Sequence, residues 1–426
     1  MQRCNDIAEV LVIDPGPMAM ERQARDRDAG AGRFWYIATG VVGGLALLKG
    51  IRLPSRWSAT QAQIDYSQGF VKRGFFGAVV TDSLRLWMYN RFAVVSYVLL
   101  AVLAVMLVLL AVKSGVAKRL GGAEMLAVFF GSYGVSTLAN TVGYMDIPLA
   151  ILAVGVLFVR NPMLRIVVGL PVTIVALLIH EMFLFVFLPV LILSFFLQSL
   201  DEETQGGKAR VMAAGLILGV VGLLVSVKLA RMPSMTGVQV THMIQSVAAR
   251  VDFKPRQDFY QVLVLSSDDN LTIMKVYFGI FDWYMKQLTS VLIFGPTVVM
   301  LLVVAKDVLK RSKVGANRWV FAMVVLCGCS PLAMHIFGWD VGRWNGLVCL
   351  TAFLVLVVTV RFTNGPALAA SMGRQRLAAI VLLCSMASGG LLMWREDKVF
   401  PAYLQIKHFK NQLQEMNLAA IANLSD

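Results

Sequence analysis

Apolar residues fill this chain in long blocks, without the stripes of an amphipathic helix or the alternation of a half-buried strand. A block of about 17–25 apolar residues can satisfy its backbone hydrogen bonds as a helix and match the hydrocarbon core of a bilayer. Eleven such blocks are read, over 34–50, 93–112, 123–140, 147–160, 166–179, 182–197, 211–229, 287–305, 319–338, 345–361 and 377–394. The stretch Ile166–Leu197 is too long for one span and short for two. An ionised His180-Glu181 pair at the bilayer midplane would be costly, so the pair is placed at a turn between two short helices. The expected fold is all-α, a polytopic helix bundle of about eleven spans.

Lys and Arg fix the expected orientation. With the N-terminus inside, the short inner loops hold fifteen basic residues and the short outer loops hold one, Arg343. That bias predicts an N-in, C-out chain. It divides into a polar, disordered segment 1–33, a transmembrane domain 34–394 with long outer loops 51–92 and 230–286, and an outer tail 395–426. The first span is read as a retained signal anchor.

Composition agrees with this pattern. Hydrophobic residues make up 58% and charged residues 15%, against about 45–50% and 25% in soluble domains; mean hydropathy is +0.71. These values exclude a soluble enzyme, a coiled coil and a disordered chain. The net charge of +14 is scattered over inner loops and not gathered on one soluble face, so no nucleic-acid partner is expected. Four of the five cysteines lie in expected spans and read as small packing residues.

The unusual polar residues fall on the outer side. The first outer loop carries Asp65, Lys72 and Arg73 among glycines and aromatics, and is expected to lie at the interface as one or two short helices. If helical, Asp65 and Lys72 share a face. This is an acid beside cationic phosphate ligands, or else an interfacial anchor with a capping Asp and snorkelling cations. At the second apex, Asp146 followed by Pro148 reads as a helix start, and a capping carboxylate can also face a cavity. His180 and Glu181 form the third, as a proton relay or a polar turn. At the fourth, Asp340 and Arg343 are spaced to pair with each other. Arg343 nevertheless defies the charge rule that the rest of the chain obeys, which marks it as an anion ligand. In the large loop, Arg250, Lys254 and Arg256 mix with Asp252, Asp258, Asp268 and Asp269. Asp268-Asp269-Asn270 offers hard oxygen ligands to a divalent cation, or is a solvated turn. No cofactor is otherwise called for.

Carboxylates or His (Asp65, Asp146, His180, Glu181) and a phosphate-binding group (Lys72, Arg73, Asp340, Arg343) at one membrane face suit a substrate with a lipid tail and a phosphate head. A carboxylate would deprotonate an acceptor hydroxyl while cations stabilise departing phosphate. The layout, with Asp65 in a first outer loop, Asp146 as a second acid and a large later outer segment, resembles the GT-C superfamily of integral-membrane glycosyltransferases. The first loop has no DxD or ExD. The resemblance implies a polyprenyl-phosphate-linked sugar or glycan as donor, membrane lipid around it, and polysaccharide-assembly proteins as partners in a bacterial inner membrane. Two other classes stay open: a membrane-bound O-acyltransferase with His180 as base, and a lipid-linked glycan transporter or flippase. A non-catalytic assembly partner is the fourth.

Overall fold

A computed structural model describes residues 17–388 except 233, 266, 339, 364, 365 and 370. The expected outer tail 395–426 lies outside the described residues. Regular structure among the described residues is helical throughout, with no strand. In chain order the principal helices are α1 (Pro17–Gly50), α2 (Arg56–Gln61), α3 (Tyr89–Lys113), α4 (Glu124–Phe130), α5 (Tyr133–Asn140) and α6 (Asp146–Phe158). They continue with α7 (Pro162–Ile179), α8 (Phe183–Asp201), α9 (Gln205–Ala230), α10 (Gly237–Arg250) and α11 (Ser267–Phe278). The last four are α12 (Phe281–Arg311), α13 (Arg318–Gly328), α14 (Val341–Phe362) and α15 (Met372–Ala387).

Six of these are long and apolar enough to cross a membrane: α3, α7, α8, α9, α12 and α14. A seventh is the bent pair formed by α13 and the 3-10 turn Ser330–Ile336, which meet at 52°. Among the described residues the count is therefore six or seven and not eleven. The losses have local causes. The block 123–140 breaks at Gly131-Ser132 into helices of 7 and 8 residues. The block at 147–160 gives 13 helical residues, about 20 Å of helix against a hydrocarbon core of about 30 Å. Glycines and Arg33 dilute the apolar part of α1, and the described part of α15 has 16 residues. From Pro17 onward the segment expected to be disordered already belongs to α1, with Pro in the first turn and Ala, Met, Glu, Gln and Arg following. The turn at His180-Glu181 between two spans is as the sequence predicts.

The bundle is built around α14, whose apolar window is 94% buried. It packs on α12, α5, α8 and α13. Phe129 and Phe353 stack at 3.9 Å near its middle. The loops gather into two sets at opposite ends of α14. At the Arg361 end, Arg361 bonds the carbonyl of Phe158, Arg119 bonds those of Val360 and Thr363, and Arg374 pairs with Glu124. At the Arg343 end sits a cap with its own small core. Ile64 and Val71 from the first long loop pack there with Val240, Met243, Val247, Phe259 and Leu263 from 230–286. The spacing of Val240, Met243 and Val247 gives α10 one apolar face, and a capping box of Thr236 and Gln239 starts it.

The stretch 64–74 is turns and not a helix, so Asp65 and Lys72 share no helical face. Short helices lie on either side, at Arg56–Gln61 and over 77–84. The turn is pinned where Gly77 meets the backbone of Ile64: a Cβ there would stand 1.9 Å from the Ile64 carbonyl oxygen.

Candidate functional site

Between the cap and the Arg343 end of the bundle lies a cavity of about 450 Å³. Trp57, Tyr144, Arg256, Asp258 and Asn270 reach it from short helices and loops. The bundle contributes Arg73-bound Glu181, His180, Asp340, Arg343 and Trp344. Its other wall is apolar, made by Leu184, Phe185, Leu223, Val227, Ala230, Met334 and Phe337. Leu223 and Val227 also rank among the exposed hydrophobics of α9, so the cavity borders the helix face that meets lipid.

Three arginines of the wall are each held by a carboxylate. Arg343 grips Asp146 with two bonds, Nε to Oδ2 at 2.7 Å and Nη2 to Oδ1 at 2.6 Å. Both side chains are nearly sealed, at 7% and 1% exposure. The guanidinium lies over the rings of Tyr144 at 4.7 Å and Trp344 at 4.5 Å, and Trp57 stacks on Tyr144 at 5.4 Å. A paired, ring-covered cation of this kind is strongly positioned. Arg73 turns Nε and Nη2 to Glu181, with Nε at 3.1 and 3.0 Å from its two oxygens. Arg73 does so from a left-handed backbone, φ 67°, which is uncommon for a residue with a side chain. Arg256 and Asp258 pair at the cap edge, Nε to Oδ1 at 2.9 Å.

Protonation follows from these contacts. Burial alone would raise the Glu181 carboxyl, but the charge and hydrogen bonds of Arg73, helped by His180, hold it well below the usual range. Burial lowers His180 well below its ordinary value of 6.5, and the nearby Arg73 charge adds to this. Its Nδ1 accepts the Met182 backbone N–H at 3.2 Å, as a neutral ring with the proton on Nε2 would. Asp340 is different. Among the described residues it is in no ion pair, and burial pushes its carboxyl up, with Arg343 opposing and Asp146 reinforcing the rise.

The residues singled out in the sequence are distributed as follows. Arg73, His180, Glu181, Asp340 and Arg343 line the cavity, with Asp146 behind Arg343. Lys72 lines a smaller adjoining chamber of about 100 Å³. Asp65 lines neither. It accepts from Ser67 within a turn and pairs with Arg250 at 2.6 Å; its burial would raise the carboxyl, but the Ser67 and Arg250 bonds bring it below the usual value. Two expectations change. Arg343 reaches Asp146 and not Asp340, and the residue at the cap of α6 is Met145, with Asp146 the first residue inside the helix. Asp268 and Asp269 open the first turn of α11. Among the described residues no three His, Cys, Asp or Glu side chains are grouped to hold a metal. Trp57 and Tyr144 escaped the sequence reading. Tyr144 stands two residues before Asp146, and an aromatic beside a polar apex is a signal by which it could have been found.

No family model matches the chain, and no curated protein or solved structure matches it at a significant level. What fold and site define is a class: an all-α, multi-span membrane protein with a charged cavity at one end of its bundle.

Proposed function

We propose that this protein transfers a sugar from a polyprenyl-phosphate donor to an acceptor hydroxyl, with Asp340 as the general base. The observation that carries the reading is the contrast among the cavity's carboxylates. Glu181, Asp258 and, behind the wall, Asp146 are each tied to an arginine, whereas Asp340 stands in no ion pair among the described residues and holds its proton more tightly than an ordinary carboxyl. A base works best when its proton affinity lies nearer the working pH. Asp340 takes the proton of the acceptor hydroxyl as that oxygen attacks the anomeric carbon. The carbon–oxygen bond to phosphate breaks, its electron pair leaves with the phosphate, and polyprenyl phosphate is the second product. Arg343 and Arg73, fixed by their partners, offer preorganised positive charge to the departing group. The apolar wall beside α9 suits the lipid tail.

The same reading puts the cavity on the outer face of a bacterial inner membrane, in surface polysaccharide or glycolipid synthesis. It is supported by the short loops alone: those at the Arg361 end are rich in Lys and Arg and those at the Arg343 end hold only Arg343, a bias that favours the cytoplasm for the Arg361 end.

The test is a deletion strain whose lipid-linked glycans are profiled by mass spectrometry, complemented with wild type or Asp340→Asn. Wild type restores the profile. Asp340→Asn, expressed and folded, leaves an unprocessed lipid-linked intermediate, and initial rates in membranes fall by about 10²–10⁴. The wild-type rate declines in acid at a pH above that of an ordinary aspartate, because the base must be unprotonated. Glycans that lack only acyl groups would shift attention to His180 and acyl transfer. Full activity of Asp340→Asn would end the base assignment.

A further inference from the structure

The arginines of the main cavity spend their charge on carboxylates of the protein itself. A phosphate anion gains most where a cation has no such partner, and Lys72 in the chamber beside the cavity is such a cation among the described residues. The adjoining chamber of about 100 Å³ is lined by Lys72, Arg73, Glu181, Ser226 and Asn270, against Leu229 and Ala230 of α9. It shares Arg73, Glu181, Ser226 and Asn270 with the main cavity, so the two are neighbouring compartments of one site.

Lys72 is in no ion pair among the described residues, in contrast to Arg73 next to it. The turn puts the two side by side, and Gly74 follows because a Cβ there would stand 2.7 Å from the Tyr66 ring. Arg73 commits Nε and Nη2 to Glu181, so Nη1 is the nitrogen not used in that pair. The Ser226 hydroxyl is buried and has no hydrogen-bond partner. A buried hydroxyl left unmatched is a cost that a ligand oxygen removes. An unpaired ammonium and an unpaired hydroxyl facing one small polar chamber are what a phosphoryl group requires.

On the basis of the glycosyl-transfer reading above, we propose that this side chamber is the phosphate subsite, with Lys72 as its main cation and Ser226 as a donor to a phosphoryl oxygen. The sugar then lies in the larger cavity beside Asp340, and the scissile bond spans the opening between the compartments. Arg73 adds its fixed positive charge at the edge of the chamber, and Lys72 is the cation that no carboxylate of the protein shares.

Binding tests this without turnover. Purified full-length protein in detergent micelles is titrated with polyprenyl monophosphate, with the matching polyprenol, and with inorganic phosphate, followed by tryptophan fluorescence. Wild type is expected to hold the phosphorylated lipid roughly tenfold or more tightly than the alcohol. Lys72→Gln removes most of that ratio, Lys72→Arg restores it, and Ser226→Ala lowers it about two- to fivefold, while polyprenol binding stays unchanged. Competition by inorganic phosphate means the subsite accepts any phosphoryl anion; its absence means the lipid must carry the phosphate. A Lys72→Gln protein that keeps the wild-type ratio overturns the subsite. Asp340→Asn is expected to bind as wild type does, so failure of the transfer reading and failure of the phosphate subsite give different results.

Discussion

At the scale of residues, the site is a set of charges whose partners decide their use. Arg343 is the clearest case. Asp146→Ala would strand a buried guanidinium, and losses of this kind run to about 3–5 kcal/mol. Thermal unfolding in detergent is expected to show it, with the double variant Asp146→Leu/Arg343→Met recovering much of the loss while remaining inactive. His180 gives a pH signature. Its folded-state proton affinity is depressed below the ordinary 6.5, so as pH falls through that value the unfolded chain takes up a proton that the folded chain refuses. Stability is therefore full above about 6.5 and drains away on acidification. Melting curves between about pH 7.5 and 5 should slope downward in wild type, and His180→Asn should flatten the slope. Much of this chemistry was legible in the chain. Arg343 stood out as an exception to a charge rule, and His180-Glu181 because an ionised pair belongs at a turn. The partner of Arg343 was not legible, because it sits 197 residues away, and local spacing offered Asp340 instead.

At the scale of elements, the helices are tuned by contact as much as by apolarity. α1 shows the difference within one helix. A Cβ added at Gly50 would stand 1.9 Å from the Ser136 carbonyl oxygen of α5, whereas Gly40 has nothing within 4 Å. Gly50→Ala should destabilise by about 1–3 kcal/mol through forced separation of the two helices. Gly40→Ala should be neutral or stabilise by up to about 1 kcal/mol, since Ala is the better helix former. Paired melting curves of the two variants check this. The turn at 64–74 is the element that the sequence misdescribed. Its aromatics and glycines fit an interfacial helix equally well, and what decides against one is the close approach of Gly77 to Ile64 and the pull of Arg250 on Asp65, contacts from distant parts of the chain.

At the scale of the molecule, the sequence revealed an all-α membrane protein with its unusual polar groups on one side, and the fold gathers most of them around one cavity. It overcounted spans because hydropathy measures how apolar a segment is and not what surrounds it. α4, α5 and α6 are apolar and buried by other helices, so short, broken pieces suffice. α14 carries the same lesson into the order of assembly. It is almost wholly enclosed, yet it is translated after α5, α8, α12 and α13, the helices that enclose it. Only when α14 is in place can Arg343 meet Asp146 and close the cavity wall. A chain that stops before Val341 is therefore expected to lack both the enclosed centre of the bundle and the wall of the cavity.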